Sequence, residues 1–221
     1  GVETRNIRVM PQTSTGLAII TTGENDNTII VVAGANDCVD IAYVESVREK
    51  ILECELILLQ NEIPQETIAY VVDLCRVNGV KVLLNPGPAR PVSEELIEKL
   101  TYITPNEHEA VILFGKERTF EEMMAQYPEK LIITQGSRGV SVCLKNGAIL
   151  HIPAFKANVV DTTGAGDTLN GAFAAAITRG EPIEKALMYA NTAASLSTEK
   201  HGAQGGMPTD DEVCQAMNTR D

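Results

Sequence analysis

Short apolar runs closed by polar or helix-breaking residues constrain this chain more than any other feature. Leu56-Ile57-Leu58-Leu59 stands unbroken within Glu55–Gln60, as a strand buried on both faces requires. Val80–Leu84 repeats the pattern and stops at Asn85-Pro86-Gly87-Pro88, which cannot continue a ladder. Tyr102–Thr104 and Leu131–Thr134 read the same way. Between these runs the spacing turns helical. Ile41, Val44, Val47 and Ile51 predict a helix over about 40–52. Pro64 suits the first turn of the next helix, with Gly79 past its end, and further helices are expected near 93–100 and from about Asn106. Alternation of this kind specifies one α/β domain with a mostly parallel sheet.

Hairpins flank that pattern. Gly16–Thr22 and Thr28–Ala33 are β-rich and separated by the polar Glu24-Asn25-Asp26-Asn27. Val140–Leu144 and Ala148–Ile152 are joined through Asn146-Gly147, the signal of a type I′ turn. Val159-Val160 reads as a short strand entering a Gly-rich turn, followed by helices at about 167–179 and 182–197. Thr209 with Glu212 forms a capping box for a last helix, whose first turn carries Asp210-Asp211.

Charge excludes several functions. The 221 residues hold 18 Lys plus Arg against 30 Asp plus Glu, a net charge of −12. A surface this acidic repels phosphate backbones and anionic lipid, so no nucleic acid and no membrane is expected as a partner. A small anion remains admissible, because a local ring of backbone N–H groups can hold one. No apolar run approaches the ~18 residues of a membrane span, and Gly1-Val2-Glu3-Thr4-Arg5 carries no signal-peptide h-region. Cys38, Cys54, Cys75, Cys143 and Cys214 show no metal or disulfide spacing and read as reduced, mostly buried thiols of a cytoplasmic protein. His108, His151 and His201 are scattered, and Met123-Met124 reads as packing.

Chemistry concentrates at Asp161-Thr162-Thr163-Gly164-Ala165-Gly166-Asp167. Two glycines let the backbone turn sharply, and their N–H groups would face outward at a helix N-terminus, where the macrodipole favours an anion. Asp167 at that end is expected to stay ionised and able to accept a proton. A carboxylate beside an anion hole suits phosphoryl transfer to a hydroxyl. On these residues alone a Gly-rich turn with Asp167 as N-cap remains equally open. The P-loop, the dinucleotide fingerprint and the EF-hand loop do not fit the spacing.

That loop, continued by Thr168-Leu169-Asn170-Gly171-Ala172-Phe173, resembles the signature of the PfkB (ribokinase-like) carbohydrate kinases. Ser14-Thr15-Gly16, Ala33-Gly34-Ala35-Asn36, Asn85 to Arg90, Thr104-Pro105-Asn106-Glu107-His108-Glu109, Thr134 to Gly139 and His201 to Gln204 agree in family order. The resemblance implies a three-layer α/β/α fold with a partial β-lid at about 14–34 and a nucleotide and catalytic part at about 104–208. It implies an ATP-dependent kinase that phosphorylates the primary hydroxyl of a sugar, D-ribose above all. A fructose, keto-deoxy sugar acid or nucleoside acceptor and a non-catalytic nucleotide-binding remnant are the alternatives.

Roles follow from the same resemblance. Asp167 matches the catalytic base; Gly164, Ala165 and Gly166 match the anion hole. Asn106 and Glu109 match a motif that places Mg²⁺ and phosphates, Thr134, Gln135, Gly136, Ser137, Arg138, Gly139 and Asn191 match the nucleotide cleft, and Glu62 matches a sugar contact. Asp161, Thr163, Ser197, Lys200, Gly202 and Gly206 match positions around a K⁺ site. A homodimer through the lid is also implied. From the residues alone, Asn106 and Glu109 also read as a polar helix start, and Glu62 as an acid before a helix at Pro64.

The chain departs from the family at its start. The family's first strand, with a sugar-binding Asp, its Gly-Gly hinge and part of the lid have no counterpart, and the only Gly-Gly is Gly205-Gly206. Met10 is the first methionine. The expectation is a single kinase domain over 1–221, N-terminally incomplete, with the nucleotide half intact and the sugar surface impaired.

Overall fold

Alternating and unbroken apolar runs end up in different sheets. The computed structural model describes residues 2–23 and 26–219. Strands β1 (Leu17–Gly23) and β2 (Asp26–Val32) form a two-stranded antiparallel sheet of their own among the described residues, with Leu17 opposite Val32 and Ile19 opposite Ile30. Glu24 and Asn25 of the expected turn lie outside the described residues. Leu17, Ile19, Ile30, Val31 and Val32 remain exposed on this hairpin.

After helices α1 (Ile41–Ser46) and α2 (Arg48–Leu52), the buried runs become β3 (Leu56–Gln60), β4 (Lys81–Asn85) and β5 (Tyr102–Ile103). They pair in parallel through crossovers α3 (Gln65–Val77) and α4 (Glu94–Lys99). Helices α5 (Glu107–Phe114) and α6 (Phe120–Gln126) lead to β6 (Ile132–Thr134). Parallel bridges Ile103–Leu131 and Asn106–Thr134 join it to β5. Strands β7 (Val140–Cys143) and β8 (Ile149–Ile152) extend that side antiparallel. Helices α7 (Ala165–Thr178), α8 (Ile183–Ser197) and α9 (Asp210–Asn218) complete the chain.

The period of two sorts each strand between two cores. Val82, Leu84, Ile103, Leu131 and Ile133 pack with α3, α4, α5 and α6. Leu83, Ile132, Val140 and Val142 pack with Leu169 and Phe173 of α7 and Leu187 of α8. Helices therefore cover both faces, giving the three-layer arrangement. Among the described residues no helix is long and apolar enough to cross a membrane.

Several expectations are corrected. The helix over 40–52 breaks at Val47 (φ −117°, ψ 11°), which ends α1 and begins α2. Ser46 Oγ donates to the Tyr43 carbonyl at 2.6 Å, a back-bond that bends helices. Of the spaced residues, Val44 is buried and Ile51 packs partly buried against the same core, while Ile41 is exposed. Val159-Val160 is no strand: the N–H groups of Val160 and Asp161 both donate to the Thr198 carbonyl at the end of α8. The Asn146-Gly147 turn is not type I′, since among the described residues Glu129 is the only non-glycine with positive φ. Gly147 N–H bonds Leu144 O and Gly147 takes φ +84°, the pattern of a type I turn followed by a glycine bulge. Helix α7 starts at Ala165, which makes Gly164 rather than Asp167 its N-cap. Only Cys75 and Cys143 are buried, whereas Cys54 and Cys214 are exposed.

Candidate functional site

A parallel sheet delivers all its strand ends to one edge, and ligands bind beyond those carboxyl ends. Here that edge gathers Asn61-Glu62 after β3, Asn85–Arg90 after β4, Thr104–Asn106 after β5 and Thr134–Gly139 after β6. Asn61 is 2% exposed. Its backbone N–H donates to Gly87 O at 2.9 Å, and its Nδ2 donates to Pro86 O at 2.9 Å and Pro88 O at 3.3 Å. One residue thereby holds three successive carbonyls of the second loop. Glu62, next to it, is exposed.

Asn106 and Glu109 form a capping box. Glu109 N–H donates to Asn106 Oδ1 at 2.9 Å, and Asn106 N–H donates to Glu109 Oε2 at 2.8 Å. The second carboxylate oxygen faces Gly87, where an added Cβ would stand 3.1 Å from Oε1. Burial pushes the Glu109 carboxyl up, against the pull of the Asn106 N–H. The polar helix start and the phosphate-facing motif are thus the same pair of side chains. Thr134 N–H donates to Pro105 O at 3.0 Å, so the next loop begins beside them. Arg138 is ion-paired with Glu107 of α5, and Gln135 Oε1 accepts from Ser141 Oγ at 2.7 Å. Gly136, Ser137 and Arg138 are exposed along this edge and Gly139 is buried. Asn191 sits beneath it, 4% exposed, its Nδ2 donating to Ile152 O and Pro153 O.

The N-terminus of α7 lies at the same edge. Gly164 has φ +78°, and a Cβ there would stand 2.8 Å from Ala203 O, so both conformation and space demand glycine. Ala165 N–H bonds Thr162 O and Thr168 N–H bonds Gly164 O. Among the described residues the N–H groups of Gly166 and Asp167 have no acceptor, which leaves two donors at the positive end of a helix dipole. Asp167 reaches solvent, yet the protein around it withdraws water from part of the carboxyl and holds its pKa above the usual aspartate value. The helix dipole would act the other way; desolvation is what sets the upward direction here.

Asp161 binds the loop after α8. Its Oδ2 accepts from Gly202 N–H and its Oδ1 from Thr163 N–H, both at 2.9 Å. The Gly202 bond first, then Thr163, pushes its carboxyl down to about 2. Gly206 approaches the end of α8 so closely that a Cβ would meet Ser197 O at 2.1 Å. The structure therefore brings Asp161, Thr163, Ser197, Gly202 and Gly206 together as two clasped loops, with Lys200 exposed beside them. Among the described residues no three His, Cys, Asp or Glu side chains form a metal cluster.

The model of the pfkB family carbohydrate kinases matches residues 1–210. The chain belongs to that family. It is 49% identical to the ribokinase of Bacillus subtilis (strain 168) over 218 residues, 99% of this chain and 74% of that protein. The Thermotoga maritima ribokinase structure superposes with a TM-score of 0.82 at 34% identity, covering 93% of this chain and 70% of that one. The structure of Arabidopsis thaliana ribokinase complexed with ribose and ATP gives 0.83 at 30% identity over the same shares. As a PfkB carbohydrate kinase the chain is a phosphotransferase with an alcohol acceptor.

Sequence reasoning passed over three buried polar residues of this kinase, Asn61, Thr104 and Asn170. Asn61 and Thr104 close the runs of β3 and β5, and Asn170 stands between Leu169 and Gly171; a polar group buried at such a place needs a partner, and that placement was the available signal.

Proposed function

We propose that this chain transfers the γ-phosphoryl group of ATP to the primary hydroxyl of D-ribose, giving ADP and D-ribose 5-phosphate. The observation that carries the reading is the pairing, at one helix end, of the Asp167 carboxylate with unbonded N–H groups of Gly166 and Asp167. Asp167 takes the proton of the sugar hydroxyl as that oxygen attacks the γ-phosphorus, and the bond to the ADP oxygen breaks. The Gly164-Ala165-Gly166 turn forms the anion hole for the charge that develops on the transferring group, with the unbonded N–H groups of Gly166 and Asp167 as its donors while the Ala165 N–H holds the turn through Thr162 O. Thr134 to Gly139 line the nucleotide side, with Asn191 supporting the loop behind them, and Glu62 contacts the sugar. Ribose as acceptor is favoured by the ribokinases among the relatives, including the one complexed with ribose and ATP.

Mg²⁺ needs one or two carboxylates plus substrate phosphates rather than a protein cage, and Glu109, whose Oε1 faces the Gly87 loop at the strand-end edge, fits that need. The ion would neutralise phosphate charge. A K⁺ ion fits the clasped loops, where Asp161, Thr163, Ser197, Lys200, Gly202 and Gly206 offer mostly backbone oxygens with a single carboxylate. The exposed apolar side chains of β1 and β2 support a homodimer through this hairpin, which Ile19→Glu would convert to monomer in sedimentation. Exposed Cys54 and Cys214 fit a reducing, cytoplasmic compartment.

The test is ADP release with MgATP and K⁺, across D-ribose, 2-deoxyribose, fructose and a nucleoside against a no-sugar blank. The expected result is a highest kcat/KM for D-ribose. A higher value for another acceptor overturns the assignment of substrate. No sugar-dependent release overturns catalysis by this chain.

A further inference from the structure

A chain of two hydrogen bonds, one buried and one part-buried, runs from the sheet to the first turn of α7. Thr104, 2% exposed, directly follows β5, and its N–H is anchored to Leu84 O at 3.0 Å. Its Oγ1 donates to Asn170 Oδ1 at 2.6 Å, across 66 residues of sequence. Asn170 is 3% exposed, and its Nδ2 donates to Gly166 O at 2.9 Å. The amide orientation is forced. Flipped, Asn170 would set its oxygen against the Gly166 carbonyl, acceptor facing acceptor.

Both ends of this chain touch the candidate site. Thr104 lies two residues before Asn106 on the segment that carries Glu109, and Gly166 precedes Asp167. Apolar side chains would fill the same space between α7 and the sheet without the cost of burying two polar groups. What the polar pair adds is direction: it fixes the rotation and height of one helical turn relative to one strand end.

We propose that Thr104 and Asn170 are a positioning pair for phosphoryl transfer. They hold the Gly164–Gly166 amides and the Asp167 carboxylate in register with Asn106 and Glu109. The inference rests on the kinase reading given above. Neither residue reaches the reacting atoms, so their effect falls on the geometry of the transfer rather than on binding. A misplacement of about 1 Å in such a geometry costs roughly 10²-fold.

The test compares Thr104→Val, which keeps the shape and removes the hydroxyl, with Thr104→Ser, which keeps the hydroxyl and removes the methyl. For Thr104→Val the expected loss in kcat is about 10- to 100-fold, with KM for ATP and sugar changed by less than roughly threefold. Thr104→Ser should return kcat to within about threefold of the parent. Hydrogen exchange in the unliganded protein supplies a second readout: amides of residues 165–169 should exchange faster in Thr104→Val but not in Thr104→Ser. Equal losses in the two variants, or an unchanged kcat in Thr104→Val, overturn the proposal. If the parent phosphorylates no sugar, the kinase reading fails, and the exchange comparison alone decides for or against the pair. If Thr104→Val does not fold, Asn170→Ala carries the same measurements, and unchanged kcat with unchanged exchange there overturns the proposal.

Discussion

Replacing Asp167 by Asn separates chemistry from fold more cleanly than any other single change. The two side chains are nearly isosteric, and among the described residues the Asp167 carboxylate accepts no hydrogen bond whose loss would disturb the helix. The substitution removes a first-turn charge worth about 0.3–1 kcal/mol at the helix dipole, and it relieves part of the desolvation that raises the Asp167 pKa. These effects oppose each other, so the thermal midpoint should stay nearly constant. Turnover should not. An amide cannot accept the sugar proton, and loss of a general base costs roughly 10²–10⁴, or about 2.7–5.4 kcal/mol of barrier. Steady-state ADP release gives kcat, and titration with a fluorescent ATP analogue gives nucleotide affinity, which should change little. The pH profile adds a check with a definite sign. The base works only when ionised, so parent kcat should fall as pH drops through a pKa above the ordinary aspartate value. The residual rate of Asp167→Asn should lack that limb. Near-normal turnover in the variant, or an acid limb it shares with the parent, would refute the role of Asp167.

Three further substitutions probe what surrounds it. Asp161 is held at about 2, below its ordinary value, so its contribution to stability is present above the unfolded pKa and lost as pH falls toward 2. Urea midpoints should drop between pH 4 and 2 in the parent and less in Asp161→Asn; parallel curves would oppose the clasp. Gly164→Ala forces a side chain into φ +78° and against Ala203 O, costing about 1–2 kcal/mol from the backbone alone, more with the contact, and lowering kcat with it; an unchanged urea midpoint would contradict the close approach. Asn61→Leu leaves the Pro86 and Pro88 carbonyls without their donor and should cost about 1–3 kcal/mol, measured by the same unfolding curves, whereas a neutral result would mean that the loop after β4 does not depend on it.

How much of this was legible in advance depends on what each signal encodes. The buried strands were readable because an apolar run with no polar face has few places to go, and β3, β4 and β6 fall on Leu56–Leu59, Val80–Leu84 and Leu131–Thr134 within a residue or so. Breaks inside a periodic pattern were not readable. Val47 keeps the apolar spacing while its backbone leaves the helix, and only the Ser46 back-bond shows why. Helix α6 carries no long apolar period to announce it, and only the Thr119 and Glu122 capping box marks its start. At the site, glycines, the carboxylate and the loops around them were visible as motifs. What Asn61, Thr104 and Asn170 do there was not, although the last two stand inside those motifs: a single polar residue has no period, and Asn61 meets Pro86 25 residues away and Thr104 meets Asn170 66 residues away in sequence.

That difference bears on how the site works. The first turn of α7 takes its place from three directions, none of them local: Gly164 against Ala203, Asp161 through Gly202, and Gly166 through Asn170 to Thr104. A helix N-terminus alone offers an anion little more than a favourable dipole. Pinned from the sheet on one side and from the loop after α8 on the other, the same turn becomes a donor array whose position does not relax when charge moves. Electrostatic preorganisation requires that rigidity, because donors that must reorganise during transfer stabilise the transition state less. The residues that supply it need not meet substrate. Their loss should therefore appear in kcat before it appears in affinity.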